Sequence, residues 1–207
     1  MPIDAVVFDL GNVLVHWDRR LLFEKLIDDP AELDRFLDEV LTLEVNADLD
    51  RGVPLPEVTA ALAQRFPADR VLIEAFRDRW PETLGEILWD SVAILEELRS
   101  LPVTLLALSN WGRDTFAVAE PQLPFLHLFD GLVISGREGV VKPDPAIFEL
   151  LCHRHGVDAS STVFIDDSAA NIATADSLGF RTVRFADPRQ CRRELIDLGL
   201  DLAPMGS

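Results

Sequence analysis

Apolar positions along the chain follow two alternating patterns, which predict buried strands connected by amphipathic helices. Residues 5–8 form a short, wholly apolar run, and further strand-like runs follow at residues 103–108, 131–135, 162–165 and 181–185. Apolar runs of this length are typical of strands that are covered on both faces, as in a parallel sheet. Their alternation with helical segments predicts an α/β fold with right-handed crossovers.

Apolar residues at spacings of three and four predict the helices between these strands. Residues 91–99 and 168–178 show this spacing, and a third helix is expected from Asp144-Pro145 to Gly156. Asp caps free amide groups at a helix start, and Pro fits the first helical position. Gly is common where a helix ends, because it adopts the left-handed conformation without steric cost.

A helical segment interrupts the strand pattern between the first and second strands. Apolar positions recur at helical spacing across residues 21–41 and 58–80, with a polar stretch at residues 44–54 between them. We predict four helices, which form a lid over the end of the first strand, with the polar stretch either a solvated loop or in contact with the site. The predicted core domain comprises residues 1–15 and 85–207, and the predicted cap comprises residues 16–84.

Polar residues stand at the carboxyl ends of several predicted strands. Asp9 follows the first strand, Ser109 and Asn110 follow the second, and Asp166 and Asp167 follow the fourth. In open α/β sheets, ligands bind at the edge formed by the carboxyl ends of the strands. We therefore expect these five side chains to lie close together at one edge.

Three carboxylates at one edge require a cation, because like charges at short range repel each other. Oxygen ligands with no His or Cys nearby in sequence indicate Mg²⁺, which leaves coordination positions to water and phosphate. Lys142 precedes a predicted helix and adds a positive charge at the same edge. The chain has 17 arginines and only two lysines, so a lysine here indicates a need for a compact ammonium group. This set of groups predicts phosphoryl transfer through an aspartyl-phosphate at Asp9.

Composition narrows the choice of partners and location. The net charge of -17 argues against nucleic acids and anionic membranes, which bind clustered Lys and Arg. Cys152 and Cys191 are too few for a disulfide framework, and we find neither a signal segment nor a membrane-length apolar run. We therefore expect a cytoplasmic protein, monomeric or homodimeric, whose partner is a small phosphorylated molecule.

Four motifs in the chain resemble those of the haloacid dehalogenase superfamily of hydrolases. They are FDLGNVL, LALSN, VVKPDPAIF and FIDDSAANI, in the order and spacing of that family, and the resemblance runs nearly the whole length. It implies a Rossmann-like, doubly wound parallel sheet with a small inserted α-helical cap. The DLGN form is similar to a branch that includes α-D-glucose-1-phosphate phosphatases, which implies a Mg²⁺-dependent phosphatase of small phosphorylated metabolites, including sugar phosphates.

The resemblance also implies roles for individual residues. Asp9 is the nucleophile, and Mg²⁺ is held by Asp9, by the main-chain carbonyl of Gly11 and by the acidic pair. Asp167 is expected to bind the metal directly, and Asp166 directly or through water. Trp111 is either a wall of the pocket or a core residue. The residues expected to bind phosphoryl oxygens are Ser109, Asn110 and Lys142.

One position departs from the family pattern. Most phosphatases of the superfamily carry a second Asp two residues after the nucleophile, as general acid and base, and here that residue is Gly11. A placed acid contributes roughly 10²- to 10⁴-fold to the rate, so its absence slows the reaction without abolishing it. His16, Asp18, a cap residue such as Glu44, or water are candidate replacements. Candidate substrate contacts in the polar stretch are Glu44, Asn46, Asp50 and Arg51.

Three other functions are compatible with parts of the pattern. A metal-independent 2-haloacid dehalogenase uses the same nucleophile, but it does not require the Asp166-Asp167 pair. Receiver domains of two-component signalling combine similar groups in a much shorter chain, with the acidic pair before the phosphoacceptor. A catalytically degenerate binding protein is the third alternative, and Gly11 is the only residue that favours it.

Overall fold

The computed structural model describes residues 2–203 and has an α/β architecture with a parallel central sheet. Within this range, five parallel strands in the order β5-β4-β1-β6-β7 form the sheet, and β2 pairs with β3 in a separate antiparallel ribbon. The strands are β1 (Ala5–Phe8), β2 (Val15–Trp17), β3 (Leu84–Ile87), β4 (Thr104–Ser109), β5 (Gly131–Ile134), β6 (Thr162–Asp166) and β7 (Arg181–Arg184).

Eleven α-helices occur in the described part of the chain. Those between β2 and β3 are α1 (Arg20–Phe23), α2 (Pro30–Arg35), α3 (Leu43–Asp50), α4 (Leu55–Arg65) and α5 (Arg70–Arg79), and α2 continues into a π-helical turn at Phe36–Val40. The others are α6 (Trp89–Leu98), α7 (Arg113–Ala119), α8 (Ser135–Glu138), α9 (Pro145–His155), α10 (Ala169–Ser177) and α11 (Pro188–Asp197).

Apolar layers cover both faces of the sheet. Val6 and Ile165 belong to a core cluster that includes residues of α6 and α11, whereas Val7 and Phe164 face α9 and α10. Phe148 of α9 packs edge-on against Phe164, with ring centroids 5.2 Å apart. The five predicted strands are confirmed, because continuous apolar runs are what a sheet buried on both faces requires.

Several elements differ from the prediction. Five helices rather than four lie between β2 and β3, because the polar stretch is not a loop: its first part forms α3. Thr42 caps α3 by accepting a hydrogen bond from the Val45 amide, and of its side chains only Leu49 is buried. A helix with one buried residue shows little apolar periodicity, so the pattern did not predict it. The ribbon β2–β3 and helices α7 and α11 were not predicted either.

In the described range, no helix has the length and apolar character needed to cross a membrane. Cys152 and Cys191 are both free thiols.

Candidate active site

The topology of the sheet places the candidate site beside β1. After β1 the chain builds β4 and β5 on one side of it, and β6 and β7 on the other. Phe8 lies level with Ala107 of β4 and with Ile165 of β6. Such a reversal of strand order opens a crevice at the carboxyl ends of the strands, and Asp9 stands in it.

A buried lysine joins the ends of β1 and β6. The Lys142 Nζ lies 3.1 Å from Oδ1 of Asp9 and 2.6 Å from Oδ2 of Asp166, and it donates a hydrogen bond to the Leu108 carbonyl at 2.8 Å. Its side chain is only 1% exposed. Burial lowers the pKa of Lys142, but the charges of the two aspartates outweigh burial and raise it overall. Lys142 is therefore an ammonium ion.

Both oxygens of Asp166 are occupied by hydrogen bonds from the protein. Oδ1 accepts from the Ser168 amide at 2.8 Å, and the Asn171 side-chain amide lies 3.0 Å from each oxygen. Together with Lys142, these donors hold a carboxylate that is completely buried. Asp166 is thus fixed in orientation at the end of β6.

The carboxylates of Asp9, Asp166 and Asp167 each offer one oxygen, and these oxygens lie within 4.8 Å of one another. When all three are ionised, the single charge of Lys142 leaves two negative charges without a partner. Burial raises the pKa of Asp9, Lys142 opposes that rise, and Asp166 adds to it. Burial and the charge of Asp166 also raise the pKa of Asp167. A cluster of oxygen donors with this charge fits a hard divalent cation such as Mg²⁺.

A tight turn follows Asp9 and Leu10. Asn12 has a φ of 56°, in the left-handed region that Asn tolerates better than most residues. Its Oδ1 accepts a hydrogen bond from the Trp17 amide at 3.0 Å and lies 3.1 Å from Nδ1 of His16. The chain therefore turns at residues 12–14, directly before β2.

Asn110 fixes the loop that carries Lys142. Its side-chain amide donates to the Lys142 carbonyl at 2.9 Å, and its Oδ1 accepts from the Lys142 amide at 2.8 Å. Ser109 is 1% exposed at the end of β4. The loop is therefore anchored to the residue after β4 by a reciprocal pair of hydrogen bonds.

A cavity of about 170 Å³ opens in front of Asp9. Of the residues predicted for the site, Ser109, Lys142 and Asp166 lie outside its lining. The cavity is lined by Asp9, Gly11, Asn12, Trp17, Asn46, Asp50, Trp80, Asn110, Trp111 and Asp167.

Trp111 is both a wall of this cavity and a core residue. It is 6% exposed, and its ring lies 6.0 Å from that of Trp80 and 5.4 Å from that of Phe116. Trp17 and Trp80 were not predicted as site residues. Trp80 falls at an apolar helical position and therefore resembles a core residue in the sequence. The one signal in the sequence that could have indicated them is the rarity of tryptophan, which occurs four times in the chain.

The side chains proposed to replace the missing acid lie elsewhere. His16 contacts Asn12, and Asp18 caps the start of α1 by accepting from the Arg20 amide at 2.8 Å. Glu44 lines a separate surface groove. None of these three lines the cavity at Asp9, whereas Asp50, which was considered only as a substrate contact, does.

Comparison of the sequence with protein families finds a match to haloacid dehalogenase-like hydrolases over residues 3–179. The chain is 27% identical to the sesquiterpene phosphatase astK of Aspergillus oryzae, covering 94% of this chain and 95% of that protein. It is 26% identical to a D-ribitol-5-phosphate phosphatase of Bacteroides thetaiotaomicron, covering 93% and 97%. It is also 26% identical, over 94% of its length, to the drimenol cyclase drtB of Aspergillus calidoustus, but spans only 36% of that protein.

Solved structures share the fold. A HAD family enzyme from Bacteroides thetaiotaomicron, in complex with magnesium and inorganic phosphate, superposes with a TM-score of 0.71 at 21% identity, covering 89% of this chain and 95% of that chain. The L-2-haloacid dehalogenase of Xanthobacter autotrophicus gives a TM-score of 0.64 at 21% identity, covering 98% and 85%. At such identities the likeness establishes the architecture, and the chemistry depends on the site.

Proposed function

The chain is a member of the haloacid dehalogenase-like hydrolase family, and we propose that it is a Mg²⁺-dependent phosphatase of small phosphorylated metabolites, sugar phosphates among them. The observation that carries this proposal is the buried ion network of Asp9, Lys142 and Asp166, which stands beside Asp167. Of these residues, Asp9 and Asp167 line the cavity. Two relatives of nearly the same length are phosphatases.

Asp9, the Gly11 carbonyl and Asp167 would hold Mg²⁺. Asp166 is the less suitable direct ligand, because four hydrogen bonds from Lys142, Ser168 and Asn171 already occupy its oxygens. The ion, when bound, offsets negative charge on the phosphoryl group. The sequence-based expectation was that Asp167 binds the metal directly and Asp166 directly or through water, and the occupied oxygens of Asp166 favour the second option.

Asp9 is positioned to act as the nucleophile. Its Oδ1 accepts hydrogen bonds from the Leu10 amide at 2.7 Å and from Lys142 at 3.1 Å, which fix the carboxylate. Lys142 opposes the rise that burial causes in the pKa of Asp9, and its charge would offset negative charge on the phosphoryl oxygens. The proposed reaction forms an aspartyl-phosphate on Asp9 and releases the alcohol, and water then attacks phosphorus and frees inorganic phosphate.

The helices between β2 and β3 are proposed to form the cap, as residues 16–84, and residues 1–15 and 85–207 to form the core. Asn46 and Asp50 of α3 and Trp80 after α5 line the cavity together with Asn110 and Trp111 from the sheet edge. A cavity of about 170 Å³ suits a small substrate. Aromatic walls beside polar groups suit the apolar faces and hydroxyl groups of a sugar or polyol phosphate.

Phosphate release tests the proposal. The purified protein is incubated with para-nitrophenyl phosphate and a panel of sugar and polyol phosphates, with Mg²⁺ or with excess EDTA, beside the variant Asp9→Asn. We expect metal-dependent release from the natural chain and none from the variant. Release that is unaffected by EDTA, or full activity of Asp9→Asn, would contradict the proposal.

Halide release distinguishes the dehalogenase alternative. That reaction needs no metal, so it leaves the acidic pair without a role. We expect no halide from 2-chloropropionate, with or without EDTA.

Cytoplasmic location and a monomeric or homodimeric state stay predictions from the sequence.

A further inference from the structure

The position of the missing acid is empty space. A Cβ atom built on Gly11 would meet no other atom within 4 Å, and the backbone of Gly11 lies outside the left-handed region. Nothing at the Cβ position therefore bars a side chain at residue 11, yet the chain has no aspartate there. If the alcohol leaves with a proton, another group at the cavity must supply it.

Asp50 is the remaining carboxyl group in the cavity lining. Of the three carboxyl side chains that line the cavity, Asp9 and Asp167 belong to the proposed metal cluster. Asp50 belongs to α3, which comes from the inserted helices and not from the sheet edge. It therefore reaches the same cavity from a different part of the chain.

The backbone of Asp50 is anchored to the sheet edge. The Ser135 hydroxyl donates to the Asp50 carbonyl at 2.7 Å and accepts from the Trp111 amide at 3.0 Å. The backbones also approach closely at two glycines beside this bond. A Cβ atom on Gly52 would lie only 2.7 Å from the carbonyl oxygen of Gly136, and a Cβ atom on Gly112 only 3.1 Å from the carbonyl oxygen of Leu49. The end of α3 is thus fixed against the loop that follows β4 and against α8, which follows β5.

The side chain of Asp50 is held on one oxygen. Asn46, one turn earlier in α3, donates from its side-chain amide to Oδ2 of Asp50 at 3.1 Å. Burial raises the pKa of Asp50 to about 7, although Asn46, Lys142 and Arg51 each act to lower it. A carboxyl group with such a pKa can exchange its proton near neutral pH.

We propose that Asp50 is the general acid and base of the phosphatase reaction, in place of the aspartate that Gly11 lacks. The inference depends on the proposed function. As Asp9 bonds to phosphorus and the bond from phosphorus to the leaving oxygen breaks, protonated Asp50 gives its proton to that oxygen. The ionised Asp50 then takes a proton from the water that attacks phosphorus, the bond from phosphorus to Asp9 breaks, and Asp50 is protonated again.

The dependence of the rate on the leaving group separates proton transfer from a structural role. The variants are Asp50→Asn, which keeps the shape and the contact with Asn46, and Asp48→Asn, a matched control at an exposed position of the same helix. For an alkyl or sugar phosphate, we expect Asp50→Asn to lose roughly 10²- to 10⁴-fold in kcat. For para-nitrophenyl phosphate, whose leaving group needs no proton, we expect only a small loss in the rate of the first step, measured as the burst of nitrophenolate. Asp48→Asn should match the natural chain on both.

A second-site substitution tests the chemistry directly. In the Asp50→Asn background, Gly11→Asp places a carboxyl group at the vacant position, and we expect it to recover much of the kcat lost on alkyl phosphates. Recovery is expected only if the lost group was a proton donor. A lost substrate contact would instead raise KM, and Gly11→Asp would not restore it.

Two outcomes would overturn the role of Asp50: unchanged kcat in Asp50→Asn, or an equal loss on both substrates without recovery by Gly11→Asp. Should Asp50→Asn fail to fold, the natural chain still gives an answer. With a working acid its kcat varies little across leaving alcohols of different acidity, and a steep dependence would refute the proposal. Absence of phosphate release from the natural chain would instead reject the proposed function.

Discussion

At the scale of single residues, Lys142 shows why one chemical group cannot be exchanged for another. It is buried between Asp9 and Asp166, and its ammonium group forms ion pairs with two of the three clustered carboxylates. The guanidinium group of arginine is larger and planar and would not fit between the two aspartates at distances of 2.6 Å and 3.1 Å. This explains why a chain so rich in arginine has a lysine here.

Replacement of Lys142 should destabilise the folded protein. In EDTA, Lys142→Met is expected to lower the free energy of unfolding by about 3–5 kcal/mol, because it leaves two buried carboxylates without their partner. Lys25→Met is the matched control, since the other lysine of the chain forms only an exposed pair with Glu82. Chemical denaturation measures both. Equal effects of the two substitutions would contradict the account.

Asp50 should make stability depend on pH. Folding raises its pKa from 3.8 to about 7 through burial, so the folded chain keeps a proton that the unfolded chain releases. The stabilisation from this proton is fully present below pH 3.8 and is lost as pH rises towards 7. Without metal, the free energy of unfolding of the natural chain relative to Asp50→Asn should therefore fall across this window. A constant difference would show that the carboxyl group is not shielded from water.

The residues at the sheet edge could be predicted because strand-end polar groups have few structural reasons to be there. Asp9 and Asp166 were predicted in this way, and Lys142 was predicted from its place before a helix in a chain with few lysines. The structure places Lys142 in direct contact with both aspartates. Trp17 and Trp80 could not be predicted, since a cavity wall and a core position demand the same apolar side chain. Tertiary packing decides whether such a residue lines a cavity or fills the core, and the spacing of apolar residues gives no information about it.

At the scale of elements, α3 connects the inserted helices to the sheet edge through one hydroxyl group. The Ser135 hydroxyl is completely buried and bridges the Trp111 amide and the Asp50 carbonyl. We expect Ser135→Ala to lower the free energy of unfolding by about 1–3 kcal/mol, because it leaves a buried amide without an acceptor.

Ser177→Ala is the control for this substitution, since the Ser177 hydroxyl donates to the Thr174 carbonyl within its own exposed helix turn. Ser135→Ala should also reduce kcat, because Asp50 is then less firmly placed, whereas Ser177→Ala should leave it unchanged. A loss of stability no larger than that of the control would mean that the bridge contributes little.

Strands and most helices were predictable because burial imposes a regular pattern on them. The helix α9 begins where Asp144 caps the Ala146 amide and ends at Gly156, as the sequence indicates. By contrast, α3 has one buried side chain, Leu49, and its C-terminal end packs closely against the backbone at Gly112 and Gly136. Backbone contacts of that kind do not depend on apolar side chains, so a hydrophobic pattern does not predict them.

At the scale of the whole molecule, net charge opposes the proposed substrate. The chain carries a charge of -17, so a phosphate ester approaches against a repulsive field. Salt shortens the range of that field from about 30 Å at 0.01 M to about 8 Å at 0.15 M. With saturating Mg²⁺, kcat/KM should therefore rise with added NaCl while kcat stays nearly constant. A steady fall in kcat/KM would indicate that local cations control the approach of substrate.

The order of the strands brings the residues of the site together. Because β1 lies between β4 and β6, the residues after these strands meet at the point where strand order reverses. The sequence predicted this parallel architecture from the alternation of elements. It could not predict how the inserted helices close over the edge, since that depends on backbone contacts such as those of Gly52 and Gly112.

The central claim is that Asp9 forms a covalent phosphoenzyme. The most direct test is to quench the reacting protein in acid, reduce it with borohydride, and sequence its peptides by mass spectrometry. An aspartyl-phosphate is reduced to homoserine, so residue 9 should appear as homoserine only when Mg²⁺ and a phosphate ester are both present. Homoserine at another aspartate, or none during active turnover, would contradict the account.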